Sequence, residues 1–277
     1  DLGVVDPCAN VETYQSVLTK FIAEQIRERN GAADVFIVRH VIEHAYDIAG
    51  FIDFIKLLVR PGGYIVWELP DCEHALATGD CTTVWEEHVF YFTSFTFKQL
   101  LYASDFGILH YESVPYALEN SIVAIVREAT DEDVVDARDD AKIAAEVDRA
   151  RSFADAMARR RIRIREKLEA IRSEDGPIAL FGAGHLSVAF LSLMGVEDLI
   201  DFVIDDNSHK KGMKMPVGDI EIVGSDVLYS HRLGLCLLGL NPQNQPNVIK
   251  RHQKFVELGG SFASIFPGSD LDIEDIE

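Results

Sequence analysis

The sequence is poor in the features that mark several protein classes. Its four cysteines, Cys8, Cys72, Cys81 and Cys236, form no C-x-x-C pair in 277 residues. That spacing excludes a zinc knuckle and a disulfide framework and reads as four free thiols. None of the nine histidines falls in an H-E-x-x-H or comparable spacing. The nearest approach, Glu43 followed by His44, lacks a further ligand at a helical interval, so no metal is expected. Positive charge is scarce, with 26 Lys plus Arg against 46 Asp plus Glu and a net charge of −20, which argues against nucleic acid as a partner. Long apolar runs are missing too. Stretches such as residues 233–240 fall far short of the roughly 20 residues a membrane helix needs. No cationic, apolar leader opens the chain. No membrane association is expected, and a cytoplasmic location follows by default. The chain also lacks an initiator Met and opens in mid-strand at Asp1-Leu2-Gly3, so further gene-encoded residues are expected before it.

What is present is 48% hydrophobic residues, enough to fill two ordinary cores, at a length that suggests two domains at about 150 residues each. In the first part, short apolar runs at 2–5, 35–38, 64–67 and 121–126 alternate with helical patterns. The clearest helix covers 48–59, where Ile48, Phe51, Ile55 and Leu58 recur at helical steps before Pro61-Gly62-Gly63. A second covers 95–103, with Ser94 as its N-cap and Gly107 beyond its end. Strands alternating with helices predict a largely parallel sheet.

Residues 128–175 contain neither Pro nor Gly, the mark of one or two long helices. Acids crowd the first half, and Arg159, Arg160, Arg161, Arg163 and Arg165 crowd the second. That polarity suits a helix dipole and reads as a solvated connector laced with i to i+4 ion pairs rather than a nucleic-acid or membrane patch. From Pro177 an apolar strand runs into Gly182-Ala183-Gly184, an amphipathic stretch to Met194, and a second strand at 202–204 that ends in Asp205. This is half of a Rossmann-like unit. Further strands are expected at 235–239 and 261–266, and the acidic 270–277 reads as a frayed tail.

The expected class is therefore α/β: two Rossmann-like domains with mostly parallel sheets joined by a long helical connector. The boundaries are 1–128, 129–175 and 176–268, with an acidic tail at 269–277. Three stretches carry candidate chemistry. Asp6 in Val4-Val5-Asp6-Pro7 sits at a strand tip, where an acid either accepts ribose hydroxyls or caps the next turn. Arg39, His40 and Val41 close a buried strand at the end where an open sheet has its ligand crevice, with Glu43 and His44 just beyond. Trp85-Glu86-Glu87-His88 and Tyr91-Phe92 put acids beside a histidine among aromatics, which favours a general base or, on the alternative reading, a structural imidazole.

Taken in order, these stretches resemble the S-adenosylmethionine (SAM)-dependent nucleotide-sugar C-methyltransferases. GVVDPCAN is similar to that family's GVEPSAN-like segment, whose acid holds the SAM ribose and matches Asp6. ADVFIVRHVIEH resembles its ADLI-x-x-x-x-VLEH stretch, whose backbone lines the SAM pocket and matches Arg39, His40 and Val41. RPGGYIVWELPD resembles KPGG-x-x-x-x-E-x-P, and WEEHVFYFT resembles YHEHLSYFS, in which the Glu-His pair matches Glu87 and His88. The resemblance implies that His88 is the base removing a proton from a sugar carbon next to a carbonyl. GAGHLSVAF is similar to the family's GAGAKG turn, DDNSHKKGMKMP to DRNP-x-KQG-x-x-x-P, and GGSFASIFP to its GGKF-x-x-P-x-P end. On this resemblance SAM is the cofactor and a small molecule, a sugar nucleotide, is the substrate. Trp85, Tyr91, Asn120, Gly182, Gly184, Asp205 and Lys210 are the implied substrate contacts.

The chain departs from the family at Trp85 and Glu86, where the motif has Tyr and His, and at Glu119-Asn120, where it has paired glycines. The first strand of the methyltransferase domain and its glycine-rich SAM loop, with any amino-terminal zinc module, would precede Asp6 and are expected to be missing from this chain. Two competing readings remain. One is an NAD(P)- or nucleotide-binding oxidoreductase using Gly182, Gly184 and Asp205, although no third glycine follows. The other is a non-catalytic methyltransferase-like scaffold, which the motif departures would suit.

Overall fold

A computed structural model describes residues 14–85, 87–116, 119–131, 133 and 139–276. In chain order it contains α1 (Lys20–Asn30), β1 (Ala33–Arg39), α2 (Ile48–Leu58), β2 (Val59–Asp71), α3 (Glu73–Thr78), α4 (Ser94–Ala103), β3 (Phe106–Val114) and β4 (Asn120–Glu128). There follow α5 (Asp140–Glu174), β5 (Ile178–Phe181), α6 (His185–Met194), β6 (Phe202–Ile204), β7 (Ile222–Val223), α7 (Val227–Ser230), β8 (Leu235–Leu238), α8 (Gln245–Arg251), α9 (Gln253–Glu257) and β9 (Ser261–Ser264). These form two compact units that interleave along the sequence. Unit 1 takes the described residues of Asp1–Pro70, His88–Val114 and Ser121–Arg138, and unit 2 takes those of Asp71–Glu87, Pro115–Asn120 and Asp139–Glu277. The class is the expected α/β with mostly parallel sheets.

Unit 1 holds a four-stranded sheet in the order β1-β2-β4-β3. β1 and β2 run parallel, from Val35 opposite Tyr64 to Arg39 opposite Glu68, because α2 provides the crossover between them. α2 forms where expected. Asp47 caps it by accepting from the Gly50 amide at 3.0 Å, and Ile52, Ile55 and Leu58 are buried. The next predicted helix starts one residue early, because its N-cap is Thr93 rather than Ser94 and Thr93 forms a reciprocal capping box with Thr96. Trp67, Phe97, Leu101, Phe106 and Ile122 are fully buried in the core of this unit. α1 and β3 were not legible as apolar patterns, since α1 buries only Ala23 and β3 only Phe106 and Gly107. The expected strand at 2–5 lies outside the described residues.

Unit 2 carries a five-stranded, all-parallel sheet in the order β7-β6-β5-β8-β9. Every residue of β5 and β8 is buried, as expected for strands covered on both faces. β5 is the first strand of this sheet, and the chain leaves it on one side to β6 and later returns on the other to β8. The carboxyl ends of β5 and β8 thus form a topological switch point, where open sheets bind ligands. The connector is one 35-residue helix, α5, beginning at Asp140 rather than near 128, where β4 still runs. At about 1.5 Å per residue it is about 52 Å long.

Three of its arginines bind other segments of unit 2. Arg160 is 5% exposed and bonds Ile265 O and Asp272, while Arg165 pairs with Asp198 and Arg172 with Asp201. The acidic tail correspondingly does not fray. Asp272 and Ile273 are buried and Glu274 meets both Arg160 and Arg163, because acids next to a basic helix face dock rather than dissolve. Among the described residues no helix is long and apolar enough to cross a membrane.

Candidate functional site

In unit 1 the site grows from the carboxyl end of β1. The His40 amide donates to Glu68 O at 2.8 Å, extending the ladder, and His40 then turns the chain at a left-handed φ of 50°. A non-glycine residue in that region is strained, and such strain gathers at functional sites. Arg39 forks onto Glu68, with Nη2 donating to Oε1 at 3.1 Å. This hydrogen bond, opposed by burial, holds the Glu68 carboxyl below the ordinary range. The His40 ring lies between two acids, with Nδ1 3.5 Å from Glu43 Oε1 and Nε2 3.5 Å from Glu68 Oε1. Arg39 and His40 thus engage these two carboxylates with their side chains, and Val41 is half-exposed beyond them.

A short 3-10 turn, Ile42–His44, then drives Glu43 inward until it is 1% exposed. Its backbone carbonyl accepts from the Val89 and Phe90 amides at 2.9 and 3.1 Å. Those two bonds fasten the His88 segment to the end of β1, although His88 comes 44 positions after His44. The two imidazoles meet edge to face at 4.7 Å, and Tyr91 lies 6.0 Å from His88. One ligand-capable atom from each of Glu43, His44 and His88 lies within 4.8 Å of the others. The Glu43 carboxylate has no hydrogen-bond partner on either oxygen.

Beside this cluster opens a cavity of about 460 Å³ lined by Val17, Leu18, Phe36, Val38, Val41 and Phe51, with His44 the ionisable residue in its wall. The size falls within the usual ~300–1,000 Å³ of small-molecule sites.

In unit 2, Trp85 stacks on His185 at 3.4 Å with an interplanar angle of 8°. Thr83 Oγ1 donates to Glu119 Oε1 at 2.6 Å, joining the segments that carry Trp85 and Asn120. Asn120 opens β4, and Glu87 is exposed. Gly182 sits at the switch point with φ 110°, where a Cβ would stand 2.9 Å from Gly239 O, so only glycine fits without movement. Gly184 is the N-cap of α6 and makes no side-chain cap hydrogen bond. Asp205, at the tip of β6, is bound from three sides: Ala183 N at 3.1 Å and Lys210 Nζ at 2.9 Å on Oδ2, and Asn207 N at 2.9 Å on Oδ1. Burial pushes its carboxyl up, but these bonds outweigh it and the net direction is down. Lys210 also reaches Ala183 O at 2.8 Å.

The residues singled out in the sequence therefore fall into two groups, each within one unit. Arg39, His40, Val41, His88 and Tyr91 gather in unit 1. Trp85, Glu87, Asn120, Gly182, Gly184, Asp205 and Lys210 belong to unit 2, and Asp6 lies outside the described residues. Glu43 and His44 stood in the sequence analysis without an assigned role. Their only signal was the VIEH string itself, since the partner that gives them chemistry arrives from a distant segment.

Comparison with known proteins bears on the whole chain. Residues 123–267 match the family model of the C-methyltransferase C-terminal domain, and residues 2–111 match a methyltransferase domain. The C-methyltransferase NovU of Streptomyces niveus is 25% identical over 279 aligned residues, covering 95% of this chain. The chain spans 66% of that relative's length, just under two thirds.

Proposed function

The chain belongs to the C-methyltransferase family, and from that premise we propose that it methylates a carbon next to a carbonyl in a small polar acceptor, a nucleotide-linked keto-sugar, with SAM as donor and His88 as general base. The observation that carries this reading is the cluster of His88, His44 and buried Glu43 beside the 460 Å³ cavity.

The described residues suit SAM. The cavity is large enough, it lies at the carboxyl end of a parallel strand, and its apolar lining accepts an aromatic base. Val41 and His44 would border the cofactor, the backbone at Arg39 and His40 would flank it, and Asp6 would take its ribose hydroxyls. Bound there, SAM supplies an electrophilic methyl carbon. His88 takes the proton from the acceptor carbon through a ring nitrogen. The C–H electron pair passes into an enolate, whose carbon would bond the methyl group as the methyl–sulfur bond breaks, its electron pair staying on sulfur so that S-adenosylhomocysteine leaves. The Glu43 carboxylate, shielded from water, stabilises the imidazolium that proton transfer creates, because charges interact more strongly away from bulk solvent. A positioned base of this kind contributes about 10²- to 10⁴-fold.

In unit 2 the Gly182 turn and the start of α6 would offer backbone amides to a pyrophosphate, with Trp85 and Asn120 as further contacts. The oxidoreductase reading lacks comparable support, since the acid that would take a ribose, Asp205, is already engaged by Lys210 and two amides.

The test is His88→Asn in the full-length protein, with methyl transfer to keto-sugar nucleotides and calorimetric binding of S-adenosylhomocysteine measured side by side. Turnover should fall by about 10²- to 10⁴-fold while cofactor affinity stays within about twofold. Wild-type turnover in the variant removes His88 from the mechanism.

A further inference from the structure

The spacing of histidines along the chain gives no reason to expect a metal, yet the fold assembles two imidazoles and one carboxylate in a single place. We propose that Glu43, His44 and His88 form a binding site for a divalent transition-metal ion of the zinc class, overlapping the imidazole that serves as base. The part concerning the base rests on the function proposed above, whereas the binding site itself does not.

Three observations carry it. The ligand-capable atoms of the three residues lie within 4.8 Å of one another. Tetrahedral ligands at about 2.1 Å from an ion stand about 3.4 Å apart, so a modest turn of an imidazole closes the set. The second observation is Glu43 itself, a carboxylate 1% exposed whose two oxygens have no hydrogen-bond partner although a buried charge requires compensation. On its other side His40 Nδ1 stands 3.5 Å from Oε1, too long for a good hydrogen bond but placed to orient one carboxylate oxygen as an outer partner. The third is the anchoring of the His88 segment, which backbone bonds from Val89 and Phe90 to Glu43 O hold against the turn in advance of any ion.

Two imidazoles and one carboxylate select Zn²⁺, Co²⁺ or Ni²⁺ over Mg²⁺ and Ca²⁺, which demand oxygen ligands. Three protein ligands leave a fourth position to water. An ion there takes up a ring lone pair of His88, the pair that would accept the substrate proton, so occupancy and base catalysis compete.

The experiment uses Co²⁺ and Zn²⁺ with the purified full-length protein, freed of metal by chelation. One Co²⁺ per chain should give visible ligand-field bands that Zn²⁺ displaces. Glu43→Gln, His44→Ala and His88→Ala should each weaken binding at least tenfold, whereas His110→Ala, at an exposed histidine in β3, should leave it unchanged. Circular dichroism separates loss of ligand from loss of fold, and Glu43→Gln keeps the side-chain volume. Absence of stoichiometric Co²⁺ binding, or binding indifferent to all three substitutions, overturns the site. Methyl transfer tells the two proposals apart. Zn²⁺ bound at these residues with undiminished turnover would remove His88 as base and leave the site standing, while zinc-insensitive turnover without binding would remove the site and leave the base.

Discussion

Arg160 offers the sharpest test of how unit 2 is held together. Its guanidinium is 6% exposed, with Nη2 at 3.2 Å from Asp272 Oδ1 and 3.3 Å from Ile265 O and Nε at 3.0 Å from Glu274 Oε2. Arg160→Met keeps the aliphatic stem and removes only the charge and its donors. Breaking a buried pair by deleting one partner costs about 3–5 kcal/mol, because the other charge is left uncompensated. Asp272 would keep two amide bonds, from Gly268 at 2.8 Å and Glu274 at 3.1 Å, which argues for the lower end. The expected loss is therefore about 3 kcal/mol, or a Tm fall of roughly 6–12 °C for a unit of this size. Asp272→Asn alone should cost less. The double variant should be more stable than the two losses summed, with a coupling of about 1–3 kcal/mol. Urea unfolding followed by circular dichroism gives all four values of the cycle. A loss under about 1 kcal/mol for Arg160→Met, the worth of an exposed pair, would refute the reasoning and return Arg160 to a solvated helix face.

Two further outcomes follow from the switch point of unit 2. Gly182→Ala should cost about 1–3 kcal/mol in urea unfolding, since φ 110° and a Cβ 2.9 Å from Gly239 O both oppose it. Gly184→Ala, with open space around the new methyl, should cost less than about 1 kcal/mol, and equal costs would contradict the geometry. The Asp205 carboxyl is depressed below its ordinary 3.8, so its ionised form stabilises the fold fully above that value and the contribution disappears as pH falls below it. Asp205→Asn should therefore lower the urea midpoint near pH 7, and the gap to the parent protein should narrow as pH falls below 3.8, whereas parallel curves would show that the carboxylate adds nothing.

Much of the architecture was readable from periodicity alone. The apolar steps of 48–58, the continuous apolar runs of β5 and β8, and the glycine turn after Phe181 each express a local demand: a buried helix face, a strand covered on two sides, a backbone conformation that only glycine enters easily. Strung in order, the same stretches were enough for the resemblance to C-methyltransferases. α1 and β3 escaped because they bury too little for a pattern to form, and the N-cap at Thr93 because Thr93 and Ser94 are both competent caps and packing chooses between them.

What the linear order determined, then, was elements such as α2, β5 and β8, whose cause lies within a dozen neighbouring residues, together with the histidine and acids available for chemistry. The tertiary structure alone decided which of them meet. Glu43 and His44 acquire His88 only because the amides of Val89 and Phe90 bond Glu43 O, and the arginines of α5 become internal staples only because Asp272 and Glu274 return to them from over a hundred residues away. Charge and ligation depend on distance in space. A one-dimensional pattern records distance only along the chain, and where the chain doubles back the two no longer agree.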